Sequence, residues 1–480
     1  MNKTAKNTAI YFVGTIVMGV LGFMNTMLLT RVLDERTYAM YGLLHNFVTT
    51  IAMLISLGYD AAYSRFYYQH NVSPKRFLLK VLAIPTALFA IVALALLEPN
   101  QWIVGYIFEE KFTYWVLFAL LGYVFFTFIH RFTQLTARME GRAFHYVSSN
   151  FVGRFGFVGF VFAAFYTWRY VGFDWVLVFS LIGSVLATLI NVWLLVRLTA
   201  DTSRERRPVG HKEMLGYGFP IMLNNLLILV MPLIEKLIVR ELAGWQVLGI
   251  YTAAAVFQTV VMLLINMIDN IWNPLVFKHG DDEKKFKPIM HNFGLVVSVI
   301  VIVGFSLCVL LRRWLVLLLD RNYFDVYIIA PAICFGACFR LVSMIYSAGI
   351  HISKKTIHFV IEPIIQLVLS LVLCVLLCKP FGLIGVGIAV TVSVMGSRIY
   401  RMAVGLRLYD TGVSEYKMWI LMGLCTAVAF ASLFFTSFLA DAVMSAALIA
   451  AMLLILNKDL LVVIHTAKTL LIPKKKTEEN

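Results

Sequence analysis

The sequence predicts an all-α, polytopic membrane protein, and two observations support this. The chain has 480 residues, of which 61% are hydrophobic and only 14% are charged. A soluble domain carries about 25% charged residues, because water demands a polar surface. The apolar residues also form runs of about twenty, the length of a bilayer-crossing helix. These features exclude a soluble enzyme, a disordered scaffold and a transmembrane β-barrel, whose strands alternate in polarity.

Fourteen apolar runs are long enough to cross a bilayer, so we predict about 14 transmembrane helices. They lie near 8–30, 39–63, 77–97, 112–133, 147–168, 174–196, 214–239, 247–272, 289–311, 325–349, 357–378, 382–404, 418–438 and 441–464.

The longest internal polar stretch separates the sixth span from the seventh and predicts a two-part molecule. The predicted parts are an N-terminal lobe at 1–196 (spans 1–6), a cytoplasmic linker at 197–213, a C-terminal lobe at 214–404 (spans 7–12), two extra spans within 405–464 and a basic cytoplasmic tail at 465–480.

The distribution of basic residues predicts the orientation. Lys and Arg number 41 against 26 Asp and Glu, a net charge of +15. With the N-terminus inside, the inside segments hold 28 of the basic residues and the outside segments hold 9. Cytoplasmic loops collect Lys and Arg, so we predict a plasma (inner) membrane protein with both termini in the cytoplasm. Topology accounts for the positive charge, and no nucleic-acid partner is expected.

An internal repeat relates the two predicted lobes. Tyr41 and Tyr251 lie ten and eleven residues after an arginine that ends the first and the seventh span, respectively. Asp60 lies nineteen residues after Tyr41, and Asp269 lies eighteen residues after Tyr251. Because an even number of spans separates the copies, both enter the membrane from the same side. We therefore predict six-helix lobes related by a pseudo-two-fold axis along the membrane normal, as in alternating-access transporters.

Two segments resemble a known family. The segment 235–254 begins Glu235-Lys236 and continues to Gly244 and to Gly249-Ile-Tyr251, with a second copy at 31–42. It resembles the signature of polysaccharide-exporting flippases, a branch of the multidrug/oligosaccharidyl-lipid/polysaccharide (MOP) superfamily that also holds lipid II flippases and MATE drug antiporters. The resemblance implies a MATE-like pair of six-helix lobes around a central cavity. It also implies export of lipid-linked sugar units.

Two arginines lie deep in the membrane and are candidates for binding substrate phosphate. Arg154 is seven residues into the fifth span, roughly 10 Å deep at the rise of an α-helix. Arg340 lies about as deep in the tenth span. Guanidinium groups match phosphate geometry, and Lys236, near the outer end of the seventh span, is a third candidate. The alternative is that each cation neutralises a nearby acid or binds backbone carbonyl groups.

Four acidic residues are candidates for gating or ion coupling. They are the repeat-related Asp60 and Asp269, together with Glu235 and Glu362. An ionisable group inside a membrane is costly unless it has a partner or a function. The alternative for Asp60 and Asp269 is an interfacial acid beside its own basic loop. We expect no cofactor and no metal, although Na⁺ or H⁺ could serve as the coupling ion.

The leading functional hypothesis is a flippase that carries a polyprenyl-(pyro)phosphate-linked oligosaccharide to the outer leaflet by alternating access. Its expected partners are this substrate, membrane lipids and other polysaccharide-assembly proteins. One alternative is a MATE-type cation-coupled drug antiporter. The other is a membrane glycan polymerase or ligase, although the short outside loops offer no catalytic domain. The interfacial aromatic residues, including Trp168, Trp175 and Trp314, are expected to anchor the protein in the membrane.

Overall fold

The computed structural model describes residues 3–67, 74–197, 209–280, 282–353, 355, 357–409, 416–457 and 459. Within these ranges the protein is helical and contains no strand, so the predicted all-α class is confirmed. The predicted linker lies partly outside the described residues, at 198–208, and the predicted tail at 465–480 lies wholly outside them.

The helices alternate with short connections. They are α1 (Lys3–Val32), α2 (Glu35–Ser56), α3 (Tyr59–Phe66), α4 (Pro74–Leu96), α5 (Trp102–Phe108), α6 (Tyr114–Met139), α7 (Ala143–Trp168), α8 (Phe173–Arg197), α9 (His211–His279), α10 (Glu283–Val316), α11 (Val326–Tyr346), α12 (Ala348–Ile352), α13 (His358–Leu408), α14 (Tyr416–Phe434) and α15 (Phe438–Ile455).

Eleven helices among the described residues are long and apolar enough to cross a membrane. Two of them, α9 and α13, have 69 and 51 residues and each contains a glycine with a non-helical backbone. These are Gly244 (φ 85°, ψ 174°) and Gly382 (φ 52°, ψ −125°). Each long helix therefore covers two of the predicted spans. The exact count of fourteen and the pseudo-two-fold symmetry stay predictions.

The chain forms two compact units, Met1–Thr252 and Ala253–Asn480. The division falls inside α9, whereas the sequence places the lobe boundary at 197–213. The predicted domain limits therefore stay predictions, and each unit is described by itself.

The first unit packs around α6, α7 and α8, with α1 against α7 and α2 against α6. Its core is rich in aromatic rings. Phe128 and Phe132 on α6 are fully buried and their ring centroids are 5.3 Å apart. The α2 helix begins at a capping residue, Asp34, whose carboxylate accepts a hydrogen bond from the Thr37 amide at 3.4 Å. This cap stabilises the start of α2, because it gives a hydrogen-bond partner to a backbone amide that the helix itself leaves unpaired.

The second unit has its core between α10, α11, α14 and α15. Buried side chains from all four helices form one apolar cluster, which includes Phe305, Phe335, Cys425 and Met452. The helices that cover the two extra predicted spans therefore pack into this unit.

Candidate functional site

The first unit holds a buried lysine close to the backbone of α2. The Lys236 side chain on α9 is 9% exposed, and its Nζ donates to the Gly42 carbonyl oxygen at 2.9 Å. A Cβ at Gly42 would lie 3.1 Å from this Nζ, so the absence of a side chain there makes room for the ammonium group. The neighbouring Glu235 is also buried and accepts a hydrogen bond from the Tyr251 hydroxyl at 3.2 Å. The adjacent residues thus have different partners, as expected from helical geometry.

Arg154 lies on α7 near a group of polar side chains. Its side chain is exposed, and Nη1 is 3.4 Å from the Met18 carbonyl oxygen on α1. No carboxylate lies within ion-pair distance of Arg154 in the part of the chain that the structure describes. The positive charge of Arg154 also interacts electrostatically with the side chains of Tyr41 and His45 on α2.

His45 is close enough to Arg154 and Lys236 to interact electrostatically with both. Its side chain is exposed, and the charges of both Arg154 and Lys236 act on it. Tyr41, one helical turn earlier, stacks on Phe157 with ring centroids 5.2 Å apart. The group of Arg154, Lys236, His45 and Tyr41 therefore combines two cations with two polar aromatic side chains. Such a group suits an anionic ligand, since both a guanidinium and an ammonium group donate to phosphate oxygens.

Asp60 has a partner inside the first unit. It lies on the short helix α3, and Arg131 of α6 donates to its Oδ2 from Nε at 2.8 Å and from Nη2 at 2.5 Å. Its other oxygen, Oδ1, is buried and has no hydrogen-bond partner among the residues that the structure describes. The predicted gating role of Asp60 stays a prediction, but the residue does not act as an isolated acid.

The second unit brings Glu362 of α13 together with two arginines near the end of the same helix. Glu362 is 3% exposed. It forms ion pairs with Arg398 and with Arg401, the latter at 3.1 Å. The Arg401 guanidinium also lies 4.7 Å from the centre of the Phe359 ring. A carboxylate in ion-pair contact with two guanidinium groups has its charge compensated, so in this state Glu362 offers little negative charge to a cation.

Arg340 of α11 belongs to the same charged group. It is partly buried, and its Nη1 is 4.0 Å from the Met262 sulfur. The described residues place no carboxylate within ion-pair distance of it, although Asp269 and Arg401 act on it electrostatically. Three guanidinium groups, with Arg398 included, thus face the two carboxylates of Asp269 and Glu362. The group has an excess of one positive charge.

His351 lies beside this group on α12, outside the eleven candidate membrane helices. Burial lowers the pKa of His351 below its usual value, and the charge of Arg401 lowers this pKa further. The negative charge of Asp269 raises the pKa of His351 and so opposes these two effects. His351 therefore adds no further cation to the three guanidinium groups at neutral pH.

Several charged residues of these groups are not recognised from the sequence. Arg131, Arg398 and Arg401 lie at span ends, where the charge count assigns them to cytoplasmic segments. The spacing of Arg398 and Arg401, three residues apart on one helix, is a signal that both occupy the same face. His45 carries no sequence signal, since a single histidine in an apolar helix has many structural uses.

Among the described residues, no group of three or more His, Cys, Asp or Glu side chains is arranged to hold a metal ion.

The comparisons with known proteins place the chain in a family. The profile of a family described as "Polysaccharide biosynthesis protein" matches residues 4–279, more than half of the chain. The chain belongs to this family. The resemblance of the segments 31–42 and 235–254 to polysaccharide-exporting flippases is thereby confirmed. A comparison with curated protein sequences finds no match.

Solved structures with a similar fold are transporters of the MOP superfamily. An inward-facing MATE multidrug resistance transporter is 15% identical over 84% of this chain and 99% of its own, with a TM-score of 0.64. The lipid II flippase MurJ, in an inward closed conformation, is 13% identical over 94% of this chain and 100% of its own, with a TM-score of 0.60. A MOP superfamily transporter from Pyrococcus furiosus is 15% identical over 86% of this chain and 96% of its own, with a TM-score of 0.51.

The family and the long apolar helices support a multi-pass membrane protein, and the similar solved structures show a MATE-like fold. The MATE-like fold class predicted from the sequence is confirmed. At these identities the structural likeness concerns the fold, and the roles of Arg154, Arg340, Lys236 and the four acidic candidates stay predictions.

Proposed function

We propose that the protein is a flippase that moves a polyprenyl-(pyro)phosphate-linked oligosaccharide from the cytoplasmic to the outer leaflet. The substrate carries its negative charge at the junction between lipid and sugar. Transport by alternating access requires groups that hold this charge inside the membrane and release it on the other side.

The observation that carries the proposal is the presence of intramembrane cations that have no ion-pair partner within the described ranges of the chain. Among the described residues, neither Arg154 nor Arg340 has a carboxylate within ion-pair distance. A cation inside a membrane costs several kcal/mol unless a cavity or a partner compensates for it. A phosphate group supplies that compensation, and a guanidinium group binds it with two parallel hydrogen bonds. Lys236 and His45 add further donors in the first unit.

The charges favour an anionic substrate over the cationic drugs of an antiporter. A cationic drug needs an accessible carboxylate inside the membrane, but two of the four acidic candidates are paired, Asp60 with Arg131 and Glu362 with Arg398 and Arg401. The described outside connections are also short, as in 109–113 and 169–172, which gives a glycan polymerase or ligase no catalytic domain. We therefore propose a transporter that catalyses no covalent chemistry.

The four acidic residues are candidates for gating and coupling, and two of them, Asp60 and Glu362, form ion pairs. We propose that Asp60 and Asp269 act at the gates of the transport cycle. Glu235 would take up the coupling ion, Na⁺ or H⁺, and Glu362 would do so only in a state in which its ion pairs with Arg398 and Arg401 are broken. An ion pair that breaks in one state and re-forms in another supplies the two-state element that alternating access needs. No cofactor is required for such a cycle.

We place the protein in the plasma (inner) membrane with both termini in the cytoplasm. Its partners are the lipid-linked oligosaccharide, the surrounding lipids and other proteins of polysaccharide assembly.

Depletion of the protein in its native host tests the proposal. We expect a lipid-linked glycan to accumulate on the cytoplasmic leaflet and surface polysaccharide to fall.

In the complemented strain, Arg154→Ala and Arg340→Ala should each reduce export about tenfold or more, since each change removes a charge-assisted hydrogen bond to the substrate. Arg154→Lys should retain part of the activity. Arg321→Ala, a change at an exposed arginine of an outer connection, is the matched control and should export normally.

Two outcomes would contradict the proposal. If no glycan-lipid accumulates but sensitivity to cationic dyes rises, the protein is an antiporter. If both alanine variants export normally at wild-type protein levels, the two arginines do not bind the substrate phosphate.

A further inference from the structure

A cleft of about 720 Å³ opens in the first unit where three connections meet. These join α1 to α2, α5 to α6, and α7 to α8. The distribution of basic residues assigns all three to the outer side of the membrane. The chain therefore brings its outside connections together around one concave space.

Aromatic side chains form one part of the wall. Trp168, Tyr170 and Trp175 line the cleft and are 51%, 66% and 42% exposed. The rings of Trp168 and Trp175 lie 4.9 Å apart between centroids and are tilted by 48°. Two partly exposed indole rings this close together present neighbouring apolar faces to a ligand in the cleft.

Charged side chains form the other part of the wall. Asp34, Glu110 and Asp174 contribute three carboxylates, against the single guanidinium of Arg36. Glu110 and Asp174 are close enough for their charges to interact. The guanidinium of Arg36 lies 5.7 Å from the centre of the Trp245 ring. The net charge of the lining is thus negative, the opposite of the group around Arg154 and Lys236.

We propose that this cleft binds neutral or amino sugar units of a glycan on the outer face of the membrane. The inference rests on the proposed function, because it gives the sugar end of the same cargo a site of its own. A sugar ring has a face of C–H groups that packs on an aromatic ring, and its hydroxyl groups donate to carboxylate oxygens. Aromatic rings with a few convergent polar groups are the usual lining of a small-ligand site. The negative charge disfavours uronates and the phosphate linkage.

Membrane anchoring alone does not account for this arrangement. Belt residues lie at the headgroup level and face lipid. Trp168 and Trp175 instead line a cleft together with four charged side chains. The described residues also offer no arrangement of three metal-ligating side chains there, so the carboxylates are not assigned to a cation.

Binding of soluble oligosaccharides by the full-length protein in nanodiscs tests the inference. The probes are chitotetraose, which is neutral, its de-N-acetylated form, which is cationic, and tetragalacturonate, which is anionic. We expect the first two to bind and the third not to bind. Trp168→Ala and Tyr170→Ala should each weaken binding about fivefold or more, since each removes a stacking surface. Asp174→Asn should weaken binding of the amino sugar more than that of the neutral one.

Trp314→Ala provides the matched control, because Trp314 is a 63% exposed tryptophan of the second unit. It should bind the probes as the wild type does. Tyr170 is the more exposed of the two test positions, so its variant keeps the test valid if Trp168→Ala fails to fold. Wild-type binding in both Trp168→Ala and Tyr170→Ala would overturn the inference, as would preferential binding of tetragalacturonate.

The inference and the proposed function can fail separately. If depletion accumulates a glycan-lipid but the wild type binds none of the probes, the sugar cleft is wrong and the flippase function stands. If the cleft variants lose sugar binding but depletion accumulates no glycan-lipid, the cleft is supported as a sugar site and the flippase function is wrong.

Discussion

Arg312 on α10 is a fully buried cation whose hydrogen bonds are satisfied inside the second unit. Its Nε and Nη2 donate to the two oxygens of Asp441 on α15 at 3.0 and 2.6 Å. Its guanidinium also donates to the carbonyl oxygens of Ser432 and Phe435, both at 2.6 Å. The ion pair with Asp441 connects α10 to α15, and the two carbonyl contacts connect α10 to the end of α14. It contrasts with Arg154 and Arg340, for which the described residues provide no such partner.

Removal of one member of this buried pair should destabilise the protein. We expect Asp441→Ala to cost about 3–5 kcal/mol, because it leaves the Arg312 charge buried without its partner. The double variant Arg312→Met with Asp441→Leu should recover much of this loss. Thermal unfolding in detergent, followed as a double-mutant cycle, measures the coupling. Independent, additive effects of the two changes would show that the pair does not stabilise the unit.

The sequence draws attention to some arginines within the apolar runs and not to others, and the reason is physical. Arg154 and Arg340 are conspicuous because they lie well inside apolar runs. Arg398 and Arg401 are not, because they lie near the end of a run, where snorkelling explains a cation. Which carboxylate each arginine reaches depends on helix rotation, and no local pattern encodes that.

At the scale of elements, a close contact between two backbones joins the end of α2 to the start of α9. Gly58 follows α2 with a φ of 78°, and a Cβ at Gly218 would overlap its carbonyl oxygen. Both residues belong to the first unit. The contact requires glycine on both sides. It positions α9 so that Lys236, further along the same helix, reaches the carbonyl oxygen of Gly42 on α2.

Alanine at the contact should separate the two elements. We expect Gly218→Ala to lower thermal stability and transport, since backbone atoms cannot move aside as a flexible side chain can. Gly216→Ala is the matched control on the same helix, because nothing lies within 4 Å of a Cβ there. That change should raise helix stability by about 0.5–1 kcal/mol. Equal behaviour of the two variants would contradict the importance of the contact.

Helix prediction succeeds for most apolar runs, which become helices. In α9 and α13 the backbone is non-helical at Gly244 and Gly382, close to where the sequence separates two predicted spans. A glycine can adopt these backbone angles at little steric cost, so it suits the change of direction between one span and the next.

At the scale of the whole molecule, the cytoplasmic bias of Lys and Arg fixes the predicted orientation. Lys111 and Arg169 lie in connections assigned to the outside, and Arg142 lies in one assigned to the inside. All three side chains are exposed.

Cysteine labelling tests this orientation. In a variant whose 6 native cysteines are replaced, Lys111→Cys and Arg169→Cys should react with an impermeant maleimide added to intact cells. Arg142→Cys should react only after the membrane is opened, because a charged reagent does not cross the bilayer. The reverse pattern would invert the topology and place the sugar cleft in the cytoplasm.

The amino-acid sequence by itself determines the membrane environment, the all-helical class and the candidate intramembrane charges. Hydropathy and charge are sums over residues along the chain, so both can be calculated without knowledge of the fold. The tertiary structure alone decides which of those charges are neutralised, as Glu362 is by Arg398 and Arg401. It also decides that three connections far apart in the sequence, all predicted to lie outside, line one cleft. Both outcomes depend on how helices distant in sequence rotate and pack against each other, and helix packing is a property of pairs of elements.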